Sequence, residues 1–320
     1  MLKKILKHAV TAQLFLLSAA VAVTAGEIAV IINVSEDRAA GPHSEMLEGF
    51  SNRLAEEGVE YKKSVFNLAG DLSGEEILSR IKGSSPEAVI PLGSSAAEFA
   101  RENITGLPVI FSMLSNPVGR GLVDNISGTG TNFTGVTLDI PPAKQLEMVM
   151  EAMPGIEKVG VIYDPANSEK VVNEAETELK KSGLVLIRKT VTEAREISGA
   201  LDAIRDEGAD ILWAIPDGTV YSGASVRQVL LYSLRNNLPV AGFSEHFVRA
   251  GAVMGIYPDY TGIGRQTADL ALRVIGGEDP GEIPIAFPES VSMAFNQRVI
   301  AAIGKNVEQS SLQQAREIFQ

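Results

Sequence analysis

From Glu27 onward the chain alternates short apolar runs with stretches of helical period. Ile28–Val34, Tyr61–Phe66, Ala88–Leu92 and Pro108–Phe111 read as strands, because they are short, β-branched and bounded by turn residues. Ser44–Glu57, Gly74–Lys82 and a segment opening at Ser94 or Ser95 read as the helices between them. Apolar runs of this kind, interleaved with helices, predict βαβ units around a parallel sheet covered on both faces. Gly58 and Gly83 come just after predicted helices and supply their stops.

Residues 114–133 break the pattern. They are rich in Gly, Ser, Thr and Asn and read as a functional loop or a crossing between lobes. After a short strand at Thr134–Leu138, Pro141-Pro142 opens a helix running to about residue 153, since proline suits a first helical turn. The alternation then restarts with strands at Lys158–Tyr163, Leu184–Lys189, Ile211–Ile215, Pro239–Phe243 and Ala252–Tyr257. Helices at Ser168–Lys181, Ile197–Asp206 and Ser222–Arg235 lie between them. Two successive sets predict an α/β fold of two doubly wound parallel-sheet lobes.

The segment before Glu27 has a different character. Lys3, Lys4 and Lys7 precede an apolar run, Leu14–Val23, and small residues at Val23-Thr24-Ala25 precede Gly26. This three-part pattern predicts a secretory signal peptide over residues 1–25, the alternative being an uncleaved anchor. The run falls short of the roughly 20 apolar residues of a spanning helix. The chain has no cysteine, which excludes disulfides, thiolate metal sites, a cysteine nucleophile and the lipid-bearing residue of a lipoprotein. The mature protein is therefore expected free in a bacterial periplasm. The formal charge is −12, and removing a leader with three lysines and no acid makes the chain more acidic still. Such a surface repels phosphate backbones, so no nucleic-acid partner is expected.

Ligands of open α/β sheets bind beyond the carboxyl ends of the strands, which directs attention to the residues at each strand exit. Asn33, Ser35, Glu36 and Asp37 lie beyond the first strand, and Gly93-Ser94-Ser95 lies beyond the third at the start of a helix. Free N–H groups there suit an anion such as a carboxylate, and plain serine N-capping is the alternative. Ser112, Ser115 and Asn116 lie beyond the fourth. In the second set the candidates are Asp164 and Asn167, then Asp217, Thr219 and Ser222, and finally Phe243-Ser244-Glu245-His246 and Tyr257-Pro258-Asp259 after the last strands. Asp217 is read as the acceptor of a ligand ammonium or hydroxyl, with turn chemistry as the alternative. Tyr257 is read as a stacking face or a core residue.

Enzyme signatures are missing. There is no phosphate-binding G-x-x-x-x-G-K-[ST] loop, and no G-x-G-x-x-G comes after the first strand. His8, His43 and His246 lack metal-ligand spacing, and no cofactor is expected. Gly242-Phe243-Ser244-Glu245-His246 comes nearest to a nucleophile elbow, but a histidine replaces its second glycine. A serine hydrolase using Ser244 is thus the weaker alternative to a binding protein.

Several segments resemble one family. Pro108-Val109-Ile110-Phe111, Asn116-Pro117-Val118-Gly119-Arg120-Gly121-Leu122-Val123 and Phe133-Thr134-Gly135-Val136 occur in order. Further along the chain come Met153-Pro154-Gly155, Val161 to Asn167, Ile215-Pro216-Asp217, Leu238-Pro239-Val240, Gly264-Arg265-Gln266-Thr267-Ala268 and Phe295-Asn296. Together they resemble the tryptophan/tyrosine-type substrate-binding proteins of ABC transporters, over essentially the whole mature chain. The resemblance implies a type I periplasmic-binding fold crossed three times by the chain. An N-terminal lobe would comprise 26–139 plus 259–286, and a C-terminal lobe 140–258 plus 287–320. It implies a monomer that closes on a small solute and docks on permease subunits, with an exported sensor as the alternative. The expected ligand set is Ser35, Gly93, Ser94, Ser95, Asn116, Asn167, Asp217 and Tyr257. Two departures stand out: Asn116 occupies a position where the family commonly has Asp, and Pro42-His43 one where relatives often carry Pro-Tyr. Aromatic residues make up only 6% of the chain, with Trp213 the single tryptophan, which points away from an aromatic amino acid as cargo.

Overall fold

The computed structural model describes residues 26–34 and 41–320. The signal-peptide reading and the Ser35 assignment lie outside the described residues. The first apolar run becomes β1 (Glu27–Ile32), whose four central residues are buried. Then come α1 (Pro42–Glu56), β2 (Lys62–Asn67), α2 (Gly74–Ser84), β3 (Ala88–Pro91), α3 (Ser94–Asn103), β4 (Val109–Leu114) and β5 (Phe133–Thr137). These strands form one sheet in the order β2-β1-β3-β4-β5, all neighbours parallel. Local sequence sets the helix boundaries. Ser73 and Glu76, for example, close a reciprocal capping box at the start of α2.

The second half continues with α4 (Pro142–Ala152), β6 (Lys158–Tyr163), α5 (Pro165–Lys181), β7 (Val185–Thr190), α6 (Ile197–Asp206) and β8 (Ile211–Trp213). Next are α7 (Gly223–Asn236), β9 (Val240–Gly242), α8 (Glu245–Ala250), β10 (Met254–Pro258) and α9 (Tyr260–Ile275). The chain ends with β11 (Val291–Asn296), α10 (Gln297–Ile303), α11 (Gln309–Gln314) and β12 (Glu317–Phe319). The second sheet has the order β12-β11-β10-β9-β8-β6-β7. It departs from the all-parallel expectation, because β11 runs antiparallel to β10. The chain leaves this sheet after β10, forms α9 on the first sheet, and re-enters from the end it left, so β11 must run the other way. β12, parallel to β11, has no counterpart among the strands expected from sequence. A three-residue strand with two exposed positions carries no periodic signal.

Each sheet has an apolar core on both faces, as two covered sheets require. Trp213 lies in the second core, 1% exposed, and donates its indole N–H to Gln145 Oε1 at 3.0 Å. Its place is structural.

α9 crosses back to lie on α1 of the first sheet, at backbone distance. A Cβ on Gly264 would fall 2.0 Å from the Met46 carbonyl oxygen, and one on Gly49 would fall 2.1 Å from that of Thr261. Gln266 then holds the segment after α9, donating to the Phe287 carbonyl at 2.9 Å and accepting from the Glu289 N–H at 3.2 Å. The two chain segments beside α9 are joined by the Asp259 N–H donating to the Ser290 carbonyl at 3.0 Å. Gly264→Ala is expected to lower unfolding free energy by about 1–3 kcal/mol through overpacking, measured by urea denaturation. An unchanged midpoint would show that the helices separate freely.

Candidate functional site

The strand ends of the first sheet present a backbone-rich surface. Gly93 has φ +87°, a conformation that disfavours a side chain, and its N–H donates to the Ser112 carbonyl at 2.9 Å. This turn delivers the chain into α3. Among the described residues no side chain caps α3, and its first turn holds no acid. Four helices, α2, α5, α8 and α10, receive a side-chain cap, from Ser73, Asp164, Ser244 and Asn296, whereas among the described residues α1, α4, α6, α7, α9 and α11, like α3, accept none; what sets α3 apart is its place behind the Gly93 turn at a strand end. The amides opening α3 thus keep their capacity for an incoming anion, and Ser94 and Ser95 are solvent-accessible beside them. His43, in the first turn of α1, packs on this turn, with Nε2 3.8 Å from where a Cβ on Gly93 would stand. Burial holds the His43 pKa below the usual imidazole value. Sequence reasoning placed no role on His43, since this neighbour lies fifty residues along the chain.

Asn116 is exposed, with φ +55°. Its N–H donates to Asp139 Oδ2 at 2.8 Å, and its side-chain oxygen accepts from the Gly119 N–H at 3.0 Å. Asn tolerates the left-handed conformation and caps its own turn, so its side-chain oxygen serves the loop.

The strand ends of the second sheet are more polar and more fully bonded. Asp217 is 3% exposed. Its Oδ2 accepts from the Asp164 N–H at 2.9 Å and the Ser168 hydroxyl at 2.7 Å. Its Oδ1 accepts from the Thr219 N–H at 3.0 Å and the Val220 N–H at 3.2 Å. Asp164 accepts in turn from the Thr219 hydroxyl at 2.8 Å and the Asn167 amide at 3.3 Å. Asn167 also reaches Thr219 Oγ1 at 3.3 Å. Asp217 therefore ties the loop after β8 to the turn after β6 and spends its acceptors on protein donors, whereas Asn167 remains exposed above the network.

Beside it stands an aromatic group of which the sequence pattern marked only Phe243. Tyr221 meets Phe247 and Phe243 edge-on, at 5.5 and 5.9 Å between centroids, and Phe243, directly after β9, is partly exposed. Burial, with the nearby Asp217 charge, pushes the Tyr221 hydroxyl pKa up. Ser244 caps α8 by accepting the Phe247 N–H at 3.2 Å, so the elbow-like sequence around it is helix-start chemistry.

The two sheets meet at one end of these strand edges. Arg316, just before β12, contacts Glu45 of α1 at 2.7 Å and Asp259 at 3.3 Å. Tyr257 is 1% exposed and stacks on Tyr260 at 6.3 Å. Two shallow surface crevices lie elsewhere, on the outer faces of α5 and of α6 and α7. They touch none of these strand ends. Among the described residues no group of three or more His, Asp or Glu side chains is placed to hold a metal ion.

The family model for ABC transporter substrate binding proteins matches residues 27–319. The chain belongs to this family. It is a family of solute-binding proteins, not enzymes. This substrate-binding protein is similar to a tyrosine-binding protein of Clostridioides difficile, 24% identical over 263 residues, 80% of this chain and 75% of the relative. Its fold matches a ligand-free, open substrate binding protein with adhesive properties from Clostridium difficile, with TM-score 0.74 and 22% identity over 92% of this chain and 99% of that one. It also matches an ABC domain from Streptococcus pneumonia in complex with L-Trp, with TM-score 0.64 and 22% identity over 92% and 100%. The expected two-lobed α/β architecture is thereby shown.

Asp217→Ala in this substrate-binding protein leaves four donors without their acceptor. It is expected to lower unfolding free energy by about 3 kcal/mol, read from chemical denaturation. A midpoint equal to that of the parent would remove Asp217 from its structural role.

Proposed function

We propose that this protein captures an amino acid, with aromatic amino acids foremost, in the cleft between its lobes and delivers it to an ABC permease. The lobes would comprise 26–139 plus 259–286 and 140–258 plus 287–320. The observation that carries the reading is the uncapped start of α3 behind Gly93. There Gly93, Ser94 and Ser95 hold the solute's carboxylate on backbone amides, aided by the positive end of the helix. Asn167 and Thr219 complete the opposite wall, while Asp217 keeps that wall in place. Phe243, backed edge-on by the buried Tyr221, offers an apolar surface to a ring, which outweighs the low overall aromatic content. Similarity to a tyrosine-binding protein and to a domain found with L-Trp supports the same class. Residues 1–25 would direct export, and the mature monomer would act outside the cytoplasm.

Closure of the lobes arises from contacts that only a bridging solute makes. The test is a thermal-shift screen of residues 26–320 against the twenty amino acids. L-tyrosine or L-tryptophan at about 100 times its dissociation constant is expected to add about 2.7 kcal/mol of stability. The absence of any shift with all twenty would overturn the amino-acid reading.

A further inference from the structure

We infer that Arg316 is a clasp between the two halves of the molecule: it ties the edge of the second sheet to α1 of the first through Glu45, and so limits how far the halves swing apart when no solute is bound. The inference concerns motion and does not rest on the amino-acid reading.

The pair joins two bodies that are each internally fixed. Arg316 comes just before β12, and its N–H donates to the Met293 carbonyl at 2.8 Å, so its backbone belongs to the second sheet. Glu45 lies in the first turn of α1, and α1 is held against α9 by the close approach at Gly49 and Gly264. Polar side-chain contacts between the halves are few among the described residues. Those of Gln266 fall on residues 287 and 289, in a segment where the chain itself crosses from one sheet to the other. Arg316 with Glu45 is the one that reaches from an element of the second sheet to a helix of the first. It stands beside the crossing, because Arg316 Nη1 also approaches Asp259 Oδ1 at 3.3 Å. β12 runs parallel to β11 and therefore antiparallel to β10, so Arg316 lies toward the end at which β10 finishes. α1 likewise starts beyond the carboxyl end of β1. Swinging the halves apart at the carboxyl ends of their strands stretches this pair.

A partly exposed ion pair is weak by itself, and the setting of this one gives it leverage. The guanidinium is gripped from two sides, by Glu45 Oε2 at 2.7 Å and by Asp259. Its planar fork holds both carboxylates in one geometry. Asp259 occupies the N-cap position of α9, yet its side chain accepts no bond from that helix. An aspartate in this place ordinarily caps, and here its carboxylate faces Arg316 instead. Burial works against the Arg316 charge, but the hydrogen bond and charge of Glu45 hold its pKa above the ordinary guanidinium value. The arrangements of a hinged protein lie close in free energy, so a contact too small to decide folding shifts their populations several-fold. A restrained ligand-free protein stays nearer its closed form, and a solute then has less to supply on binding.

The test is small-angle X-ray scattering of ligand-free residues 26–320 as wild type, Glu45→Gln, Arg316→Gln and the double variant. The two side chains are 32% and 39% exposed, and unfolding midpoints establish that each variant is folded. Both single variants are expected to show a larger radius of gyration and a longer maximum dimension than wild type. The double variant is expected to match the single ones, because breaking either end releases the same clasp. Dimensions unchanged or smaller in both single variants overturn the inference. An increase in only one of them overturns the pairing across the halves, and an increase in the double variant equal to the sum of the two shows Glu45 and Arg316 acting separately and overturns it as well.

Discussion

The backbone contact between α1 and α9 is the constraint on which the rest of the molecule depends. Gly49 and Gly264 remove the side chains that would hold the two helices apart. α9 can then leave the second sheet and bury Ile263, Ala268, Leu270, Ala271 and Val274 in the core of the first. Because α9 lies there, Tyr260 at its first residue stands where the two sheets meet. Gln266 then fixes residues 287 and 289 on their way back. The position of Tyr260 thus depends on two missing Cβ atoms.

The carboxyl ends of the two sheets are built by different physical means. The second sheet offers a closed network in which Asp164, Asn167, Ser168, Asp217 and Thr219 bond mainly to one another. Such a network holds loops in register, because removing Asp217 at its centre leaves buried donors unpaired. The first sheet offers backbone groups at a glycine turn and the open start of a helix. One face is rigid because its polar groups satisfy each other. The other is receptive because its amides do not.

Much of this architecture was legible in the sequence. Ile28–Ile31, Ala88–Ile90 and Ile211–Trp213 are continuous apolar runs, and each became a buried strand. The glycine-serine turn after β3 was visible because the strand-end rule and helix-start chemistry point to the same residues. The sense of β11 was not legible, since it depends on which end the chain re-enters and not on local pattern. Asp217 drew attention as an acid at a strand exit, but whether its acceptors are already used depends on Asp164 and Ser168, some fifty positions earlier. The contact of Arg316 with Glu45 spans 271 residues, and no periodicity encodes it.

If the cleft works as its two unlike faces imply, solute binding brings the two lobes together over it. Small-angle X-ray scattering of residues 26–320 reads that movement, with and without a saturating amino acid shown to bind by calorimetry. A smaller radius of gyration and a shorter maximum dimension are expected in the bound protein. Identical scattering curves at proven saturation would contradict closure, placing the ligand outside a closing cleft.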